Sequence, residues 1–517
     1  MPEEIFDYIV IGAGSAGSAV AGRLAERGHA TILVLEAGGR AGWPWGTMPA
    51  GIEHLLADPS CQWGFETVPQ WGLGGRCLAL PQGRLVGGTS AINGMLYVRG
   101  HRLDYDDWAG AGCTGWRFAD VLPYFIRAEG NREHADALHG TSGPLSVSAQ
   151  RQVNAYSRMF IAAGTRAGLG FNPDFNGVAQ DGIGLFQATI EDGKRCSAAR
   201  AYLRRRPNLE VRTGSAVERI MIDGGRAGGV AYRRGARLHH VSARREIILS
   251  GGTFNSPRLL MLSGIGAAGA LGRLGIVPLL DRPDVGRNLQ DHVSVFAVAE
   301  VKDSAGTYDG QDRGLAALRN GLRYFAHRSG PAASVGWEAG AFLHSAKGLD
   351  RPDIEMHFIP FGLDRPDTPR PAITFNVSNL RPFSRGSVML ASADPAQPPL
   401  IDPAWLTDER DLQPLRAGLE HARRIAGQSP LRERIGELHV PGEVDEHIRA
   451  HAGSDFHFGG TCRMGEDEDA VVDAQLRVRG IDGLRIADCS VMPRLVGGNT
   501  NAAAIMIGER CADFLQA

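Results

Sequence analysis

Near the start of the chain, Phe6-Asp7-Tyr8-Ile9-Val10-Ile11 forms a short apolar run suited to a buried parallel strand. It enters Gly12-Ala13-Gly14-Ser15-Ala16-Gly17, after which Ser18 to Arg27 reads as a helix packing through Ala19, Val20, Ala21 and Leu24. A second apolar run, Thr31-Ile32-Leu33-Val34-Leu35, ends at Glu36. Strand, glycine turn, helix, strand and acid follow in the order of a dinucleotide-binding βαβ unit. In that reading Gly12 makes the tight turn, Gly14 lets a pyrophosphate approach bare backbone, and Gly17 allows close helix–strand packing. The phosphate sits on the helix N-terminus, and Glu36 accepts hydrogen bonds from a ribose hydroxyl.

The regular alternation then stops. A long glycine-rich segment runs from Gly38 to about Gly112, and strand patterns return at 209–222 and 228–250, the latter ending in Glu246-Ile247-Ile248-Leu249-Ser250-Gly251-Gly252. One more such segment, Leu484-Arg485-Ile486-Ala487-Asp488, lies near the C-terminus. The predicted fold class is therefore α/β (mixed α+β), with a Rossmann-type nucleotide-binding domain assembled from separated segments, 1–150, 190–298 and 450–517. The stretches 151–189 and 299–449 form a second, substrate-binding domain with an antiparallel sheet covered by helices, marked by strand-like runs such as Ile354–Ile359 and Ala372–Val377. No internal repeat or low-complexity tract interrupts this pattern.

Composition narrows the function. Apolar residues make up 43% and charged residues 22% of 517, which excludes wholesale disorder. The 69 glycines are about twice the usual share of ~7% and have no G-X-Y period, so they mark turns and close backbone approaches. A net charge of −2 without a basic block gives no support for a nucleic-acid partner. No run of ~18–20 apolar residues predicts a membrane span. The acidic start and seven scattered cysteines without a C-x-x-C pair predict neither a secretory signal, nor a disulfide framework, nor a metal ribbon. The expected compartment is cytoplasmic, with peripheral membrane contact kept open.

Four further blocks carry a family resemblance. They are Gly83-Arg84-Leu85-Val86-Gly87-Gly88-Thr89-Ser90-Ala91-Ile92-Asn93-Gly94, the segment 252–266, His457-Phe458-Gly459-Gly460-Thr461-Cys462-Arg463-Met464-Gly465, and the segment 484–509. With the N-terminal glycines and Glu36, in this order and spacing, the chain resembles the glucose–methanol–choline (GMC) family of FAD-dependent alcohol oxidoreductases, and most of all its bacterial choline-dehydrogenase-like members. The resemblance implies FAD held by Gly12, Gly14, Ser15, Ala16, Gly17, Glu36, Ala37, Arg84, Gly87, Gly88 and Ser90. It implies further that Asn93-Gly94 run beside the flavin N5 edge, that the Val217 backbone reads the adenine, and that Asp488, with Cys489-Ser490, lies along the phosphate and ribityl chain. Some relatives bond flavin covalently through a histidine at the position of Ile92; isoleucine has no nucleophile, so FAD is expected to be non-covalent.

Alcohol oxidation by flavin moves a hydride to the cofactor and requires a protein base for the hydroxyl proton. Sixteen histidines make histidine alone no signal. The resemblance singles out His457 as that base and Asn499 as its active-site partner, also beside the flavin. Phe458 stands where the family commonly has proline. Asn501 reads as the cap of a buried helix beginning there, whose N-terminus would face the flavin's pyrimidine edge. For the substrate pocket the candidates are Trp63, Phe65, Trp337, Phe358, Phe361 and Phe458, with Glu338 able to attract a cationic head group. The expected function is oxidation of a primary alcohol to its aldehyde, with a quinone or dye as electron acceptor ahead of oxygen. The alternatives are an oxygen-using oxidase of aromatic or furanic alcohols, a non-redox hydroxynitrile-lyase-like enzyme, a light-driven decarboxylase, and an NAD-binding module without flavin.

Overall fold

The computed structural model describes residues 4–302, 306–363, 370–440 and 442–516. Two seven-stranded sheets organise them. In the first, the strands Leu209–Arg212, Ile32–Leu35, Ile5–Ile11 and Arg237–Leu249 lie side by side in parallel. Their central residues are apolar and buried on both faces, as parallel strands require: Ile9, Val10, Leu33, Val34, Ile247 and Ile248 have no exposure. The 13-residue strand Arg237–Leu249 serves two neighbours. Its first half pairs antiparallel with Arg226–Arg234, which continues to Ser215–Asp223, and its last residues pair in parallel with Leu484–Ile486. A segment nearly 240 residues away in sequence thus completes the sheet.

The helix Ser15–Glu26 covers this sheet and packs against the C-terminal helix Asn501–Phe514. The contact is close because Gly508 has no side chain; a Cβ there would sit 2.4 Å from the Ala16 carbonyl oxygen. That brings the start of the last helix alongside the glycine turn.

The second sheet is antiparallel, in the order Ile435–His439, Val293–Val301, Ala372–Asn379, Ile354–Ile359, Ala339–Leu343 and Gly182–Leu185, with Gly453–Ser454 also on Val293–Val301. The helix Leu412–Ala426 covers one face, burying Leu412, Leu415, Leu419, Ala422 and Ile425 at helical spacing. Val293–Val301 belongs wholly to this sheet and spans the expected boundary at 298, and Gly453–Ser454 joins it from the segment expected to begin at 450 in the other domain. The chain crosses between sheets before residue 293. The reason is side-chain alternation over a covered sheet, where Val293, Val295, Ala297, Ala299 and Val301 all enter the second core.

Candidate active site

The parallel strands end on one edge, and a cavity of about 1210 Å³ opens there and runs to the face of the antiparallel sheet. The turns after Ile11, Leu35, Leu249 and Ile486 all contribute to its wall, where α/β sheets bind ligands. Gly12 has φ +100°, and a Cβ would lie 2.4 Å from the Ser250 carbonyl oxygen. Gly14 has nothing within 4 Å of where a Cβ would stand, so bare backbone faces the cavity. The helix it precedes has neither a side-chain cap nor an acid in its first turn, leaving N–H groups for an anion. Glu36 is buried at the wall; its carboxylate accepts the Ala13 N–H at 2.9 Å and the Gly38 N–H at 2.8 Å. Burial pushes its carboxyl up against those donors.

Most residues named from sequence meet here. Gly12, Gly14, Ser15, Ala16, Glu36 and Ala37 line one end. Arg84, Gly88, Ile92, Asn93, Gly94, Val217 and Asp488 line the cavity as well. Gly17, Gly87 and Ser90 do not line the cavity. Ser90 instead donates to the Gly87 carbonyl at 2.6 Å and accepts the Ala198 N–H at 3.0 Å, bracing the wall from behind. The Asp488 carboxylate accepts Gly252 N–H (2.9 Å), the Ser256 hydroxyl (2.6 Å) and Ser490 N–H (2.8 Å), which ties two strand ends together.

At the far end stand His457 and Asn499. The Asn499 amide Nδ2 lies 3.0 Å from His457 Nε2, and His457 Nδ1 lies 3.0 Å from His292 Nδ1. Burial depresses the pKa of both histidines, His292 strongly, despite the nearby Asp455 carboxylate. With Nδ1 of a neutral His292 as the acceptor, His457 donates its Nδ1–H and its Nε2 lone pair accepts from the Asn499 amide; this is the tautomer in which His457 presents a basic nitrogen to the cavity. The Asp455 carboxylate stands 3.7 Å from His457 Nδ1. It accepts from Asn376 and Ser378 and is held low by His357 and His457 against its burial. His357, next to Glu355 at 3.1 Å, has its pKa raised to about 9 by the two carboxylates, which outweigh burial. Asp291 fixes the backbone of His457 by accepting its N–H at 2.9 Å, while also accepting from Ser454 and Trp405.

These supports, His292, Asp291, Asp455 and His357, were not among the sequence candidates. The signal for the first two is a polar Asp291-His292 pair directly before the apolar strand Val293–Val301. Arg195 was missed as well. It is buried and donates from one guanidinium nitrogen to the Asn93 carbonyl (2.6 Å) and side-chain oxygen (2.9 Å), which holds the Asn93-Gly94 loop. Burial lowers its pKa to about 9.

Of the pocket candidates, Trp63, Phe65, Trp337, Phe361 and Phe458 line the cavity. Phe458 packs its ring 4.7 Å from Phe254, and its carbonyl accepts the Thr253 hydroxyl. Three expectations are corrected. Phe358 lies in the second core, stacked 4.6 Å from Phe160 and edge-on to Phe375, away from the cavity. Glu338 is fully buried and off the wall; its carboxylate accepts Asn154 N–H (2.6 Å) and the hydroxyls of Ser157 (2.8 Å), Ser334 (2.6 Å) and Tyr308 (2.5 Å). Every lone-pair direction facing a cation is taken by an internal donor. Asn501 is the first helical residue and not a cap; its side chain accepts the Ser15 hydroxyl at 2.7 Å and joins the last helix to the glycine turn.

Known proteins are similar to this chain over nearly its whole length. Residues 6–294 and 382–508 match the two family models described as GMC oxidoreductase. The chain is 40% identical over 525 residues to the oxygen-dependent choline dehydrogenase of Brucella anthropi, covering 98% of this chain and 95% of that one. It is equally similar to the protein of that name from Rhizobium johnstonii, over 531 residues with the same coverage. Among solved structures, pyridoxine 4-oxidase from Mesorbium loti superposes with a TM-score of 0.89 at 31% identity over 98% of both chains. A formate oxidase superposes with a TM-score of 0.92 at 28% identity over 100% of this chain and 99% of that one.

The internal role of Glu338 predicts that Glu338→Gln lowers folding stability by about 1–3 kcal/mol, the cost of misfitting a buried acceptor. KM for the substrate should not change. Denaturant midpoints and steady-state kinetics check this; a raised KM with an unchanged midpoint would return Glu338 to substrate binding.

Proposed function

The chain belongs to the GMC oxidoreductase family, and on that premise we propose that it oxidises a primary alcohol to its aldehyde with non-covalently bound FAD and His457 as general base. The family binds FAD. The cavity fits that group: bare glycine backbone and a free helix N-terminus suit a pyrophosphate, Glu36 suits a ribose, and Arg84, Asn93-Gly94 and the His457–Asn499 pair line the same cavity. When bound, FAD supplies the acceptor for the hydride that leaves the carbinol carbon.

The observation that carries the reading is the His292–His457–Asn499 hydrogen-bond chain at the cavity wall. A substrate hydroxyl replaces the direct Asn499–His457 bond: its oxygen accepts from Asn499 Nδ2 and its proton points at His457 Nε2. His457 takes that proton at Nε2 while still donating Nδ1–H to His292. The Asp455 carboxylate, 3.7 Å away, stabilises the imidazolium so formed. Trp63, Trp337, Phe361 and Phe458 give this cavity an apolar aromatic lining for the substrate. The uncapped N-terminus of Asn501–Phe514, with Thr500 and Asn501 at the wall, would favour negative charge on a group bound beside it.

A quinone or dye is the proposed electron acceptor. Oxygen is the second reading, favoured by the names of the relatives, which are an oxygen-dependent dehydrogenase and two oxidases. Those names also make choline the first alcohol to screen.

His457→Ala should slow anaerobic flavin reduction by at least ~10²-fold, the usual scale for a lost general base, with FAD content little changed. Asn499→Ala should slow it less. Near-normal reduction in His457→Ala would move the base elsewhere.

Because Ile92 offers no nucleophile, acid precipitation should leave yellow FAD in the supernatant. Flavin retained in the pellet would contradict non-covalent binding.

In stopped flow, the reduced enzyme should reoxidise faster with a soluble quinone or phenazine than with air-saturated buffer. Rapid reoxidation by oxygen with stoichiometric hydrogen peroxide would make the enzyme an oxidase.

A further inference from the structure

The helix Gly314–His327 is turned inside out relative to an ordinary surface helix. Its buried side is polar: the Asn320 amide donates to the Gln311 carbonyl at 2.9 Å, and the Tyr324 hydroxyl donates to the Gly193 carbonyl at 3.0 Å. Its apolar residues face out. Leu315 is 85% exposed, Leu318 60% and Leu322 63%, and at spacings of three and four they lie in one stripe with Phe325. Trp43 is 78% exposed and sets its ring 5.5 Å from Phe325, so a second segment extends the patch. Contiguous exposed apolar surface of this kind marks a docking face.

Charge identifies what docks there. From Gly314 to Trp337 the chain contains no aspartate or glutamate, while Arg319, Arg323, His327 and Arg328 are all present. Among the described residues no carboxylate pairs with any of the four. Arg323 donates to the Ser329 hydroxyl, and Arg328 lies over the Tyr324 ring. The acids just upstream are engaged: Asp309 accepts the N–H groups of Gly362 and Ala372, and Asp312 pairs with Arg313. A two-fold contact through this face would bring Arg319 and Arg323 of both copies into one interface that has no acid of its own between residues 314 and 337 to pair with them, an electrostatic cost. An anionic lipid surface has no such cost. It meets leucine, phenylalanine and tryptophan with acyl chains and arginine with headgroup phosphates.

Packing also links this helix to the cavity rim. The helix packs on Pro331–Ala333, which packs on Pro49–Gly51, and that segment leads into the helix Ile52–Ala57, whose Ile52 and Leu56 line the cavity. Among the described residues no helix is long and apolar enough to cross a membrane, so the contact lies on the bilayer.

We propose that this face docks in the interface of an anionic phospholipid bilayer, with Leu315, Leu318, Leu322, Phe325 and Trp43 at the acyl boundary and Arg319 and Arg323 among the headgroups. The reading does not depend on which alcohol is oxidised.

The test is co-sedimentation of the FAD-loaded full chain with vesicles of phosphatidylcholine alone or mixed with phosphatidylglycerol. The wild type should bind mixed vesicles at least about tenfold more tightly, with the preference fading as salt rises. Leu318→Glu with Leu322→Glu should bring binding to background, and Arg319→Gln with Arg323→Gln should abolish the preference for anionic lipid. Both double variants should keep the wild-type thermal midpoint and the wild-type rate with a soluble dye, which separates failure here from failure of the proposed oxidation. Absence of vesicle binding by the wild type would overturn the proposal. So would a wild-type dimer in sedimentation velocity that the leucine double variant converts to monomer, since the face would then belong to a second copy.

Discussion

One hydrogen-bond chain, His292–His457–Asn499, crosses from the antiparallel sheet to the nucleotide-binding sheet, and the geometry of the site depends on it. His292 is fixed at the start of the strand Val293–Val301. Asn499 stands just before the helix Asn501–Phe514, which is clamped to Ser15–Glu26 through Gly508 and the Ser15–Asn501 bond. His457 lies between them on a loop whose backbone Asp291 holds. The imidazole therefore has one orientation, set by two separate cores. Its Nε2 faces the same cavity as the glycine turn, because both cores contribute to one wall.

Electrostatics make that orientation useful. Burial alone would leave a weak base, since desolvation disfavours the cation. Asp455 opposes this at 3.7 Å, while the charged His357 behind it moderates the effect. The network that holds Asp455, made of Asn376, Ser378 and His357, belongs entirely to the antiparallel sheet. That sheet therefore shapes the pocket and also sets the basicity of His457. On the cofactor side Arg195 does comparable structural work from behind, bonding the Asn93 loop without touching the cavity.

The βαβ unit was legible because its signals are local: a both-face buried strand, glycines at turn positions and an acid closing the second strand. Ile354–Ile359 and the run beginning at Ala372 were legible as apolar runs for the same reason. What sequence could not place was decided by contacts between distant segments. Glu338 looks like a pocket carboxylate until Asn154, Ser157, Ser334 and Tyr308 converge on it. Phe358 and Phe361 sit three residues apart, yet one stacks in the core and the other lines the cavity, because alternation along Ile354–Ile359 ends between them. His292 carries no local mark of its role; only the return of the chain 165 residues later puts His457 against it.

The central claim is that a neutral, buried His457 accepts the substrate proton. Burial sets its pKa below the ordinary 6.5, and only its unprotonated form acts as base. The most direct measurement is the pH dependence of anaerobic flavin reduction by substrate in single turnover. The rate should rise with pH through one ionisation below 6.5 and stay level above it. The ionisation should move to still lower pH in Asp455→Asn, where the carboxylate that favours the imidazolium is gone. A rate that falls as pH rises through this range, or an ionisation that Asp455→Asn leaves in place, would contradict the account.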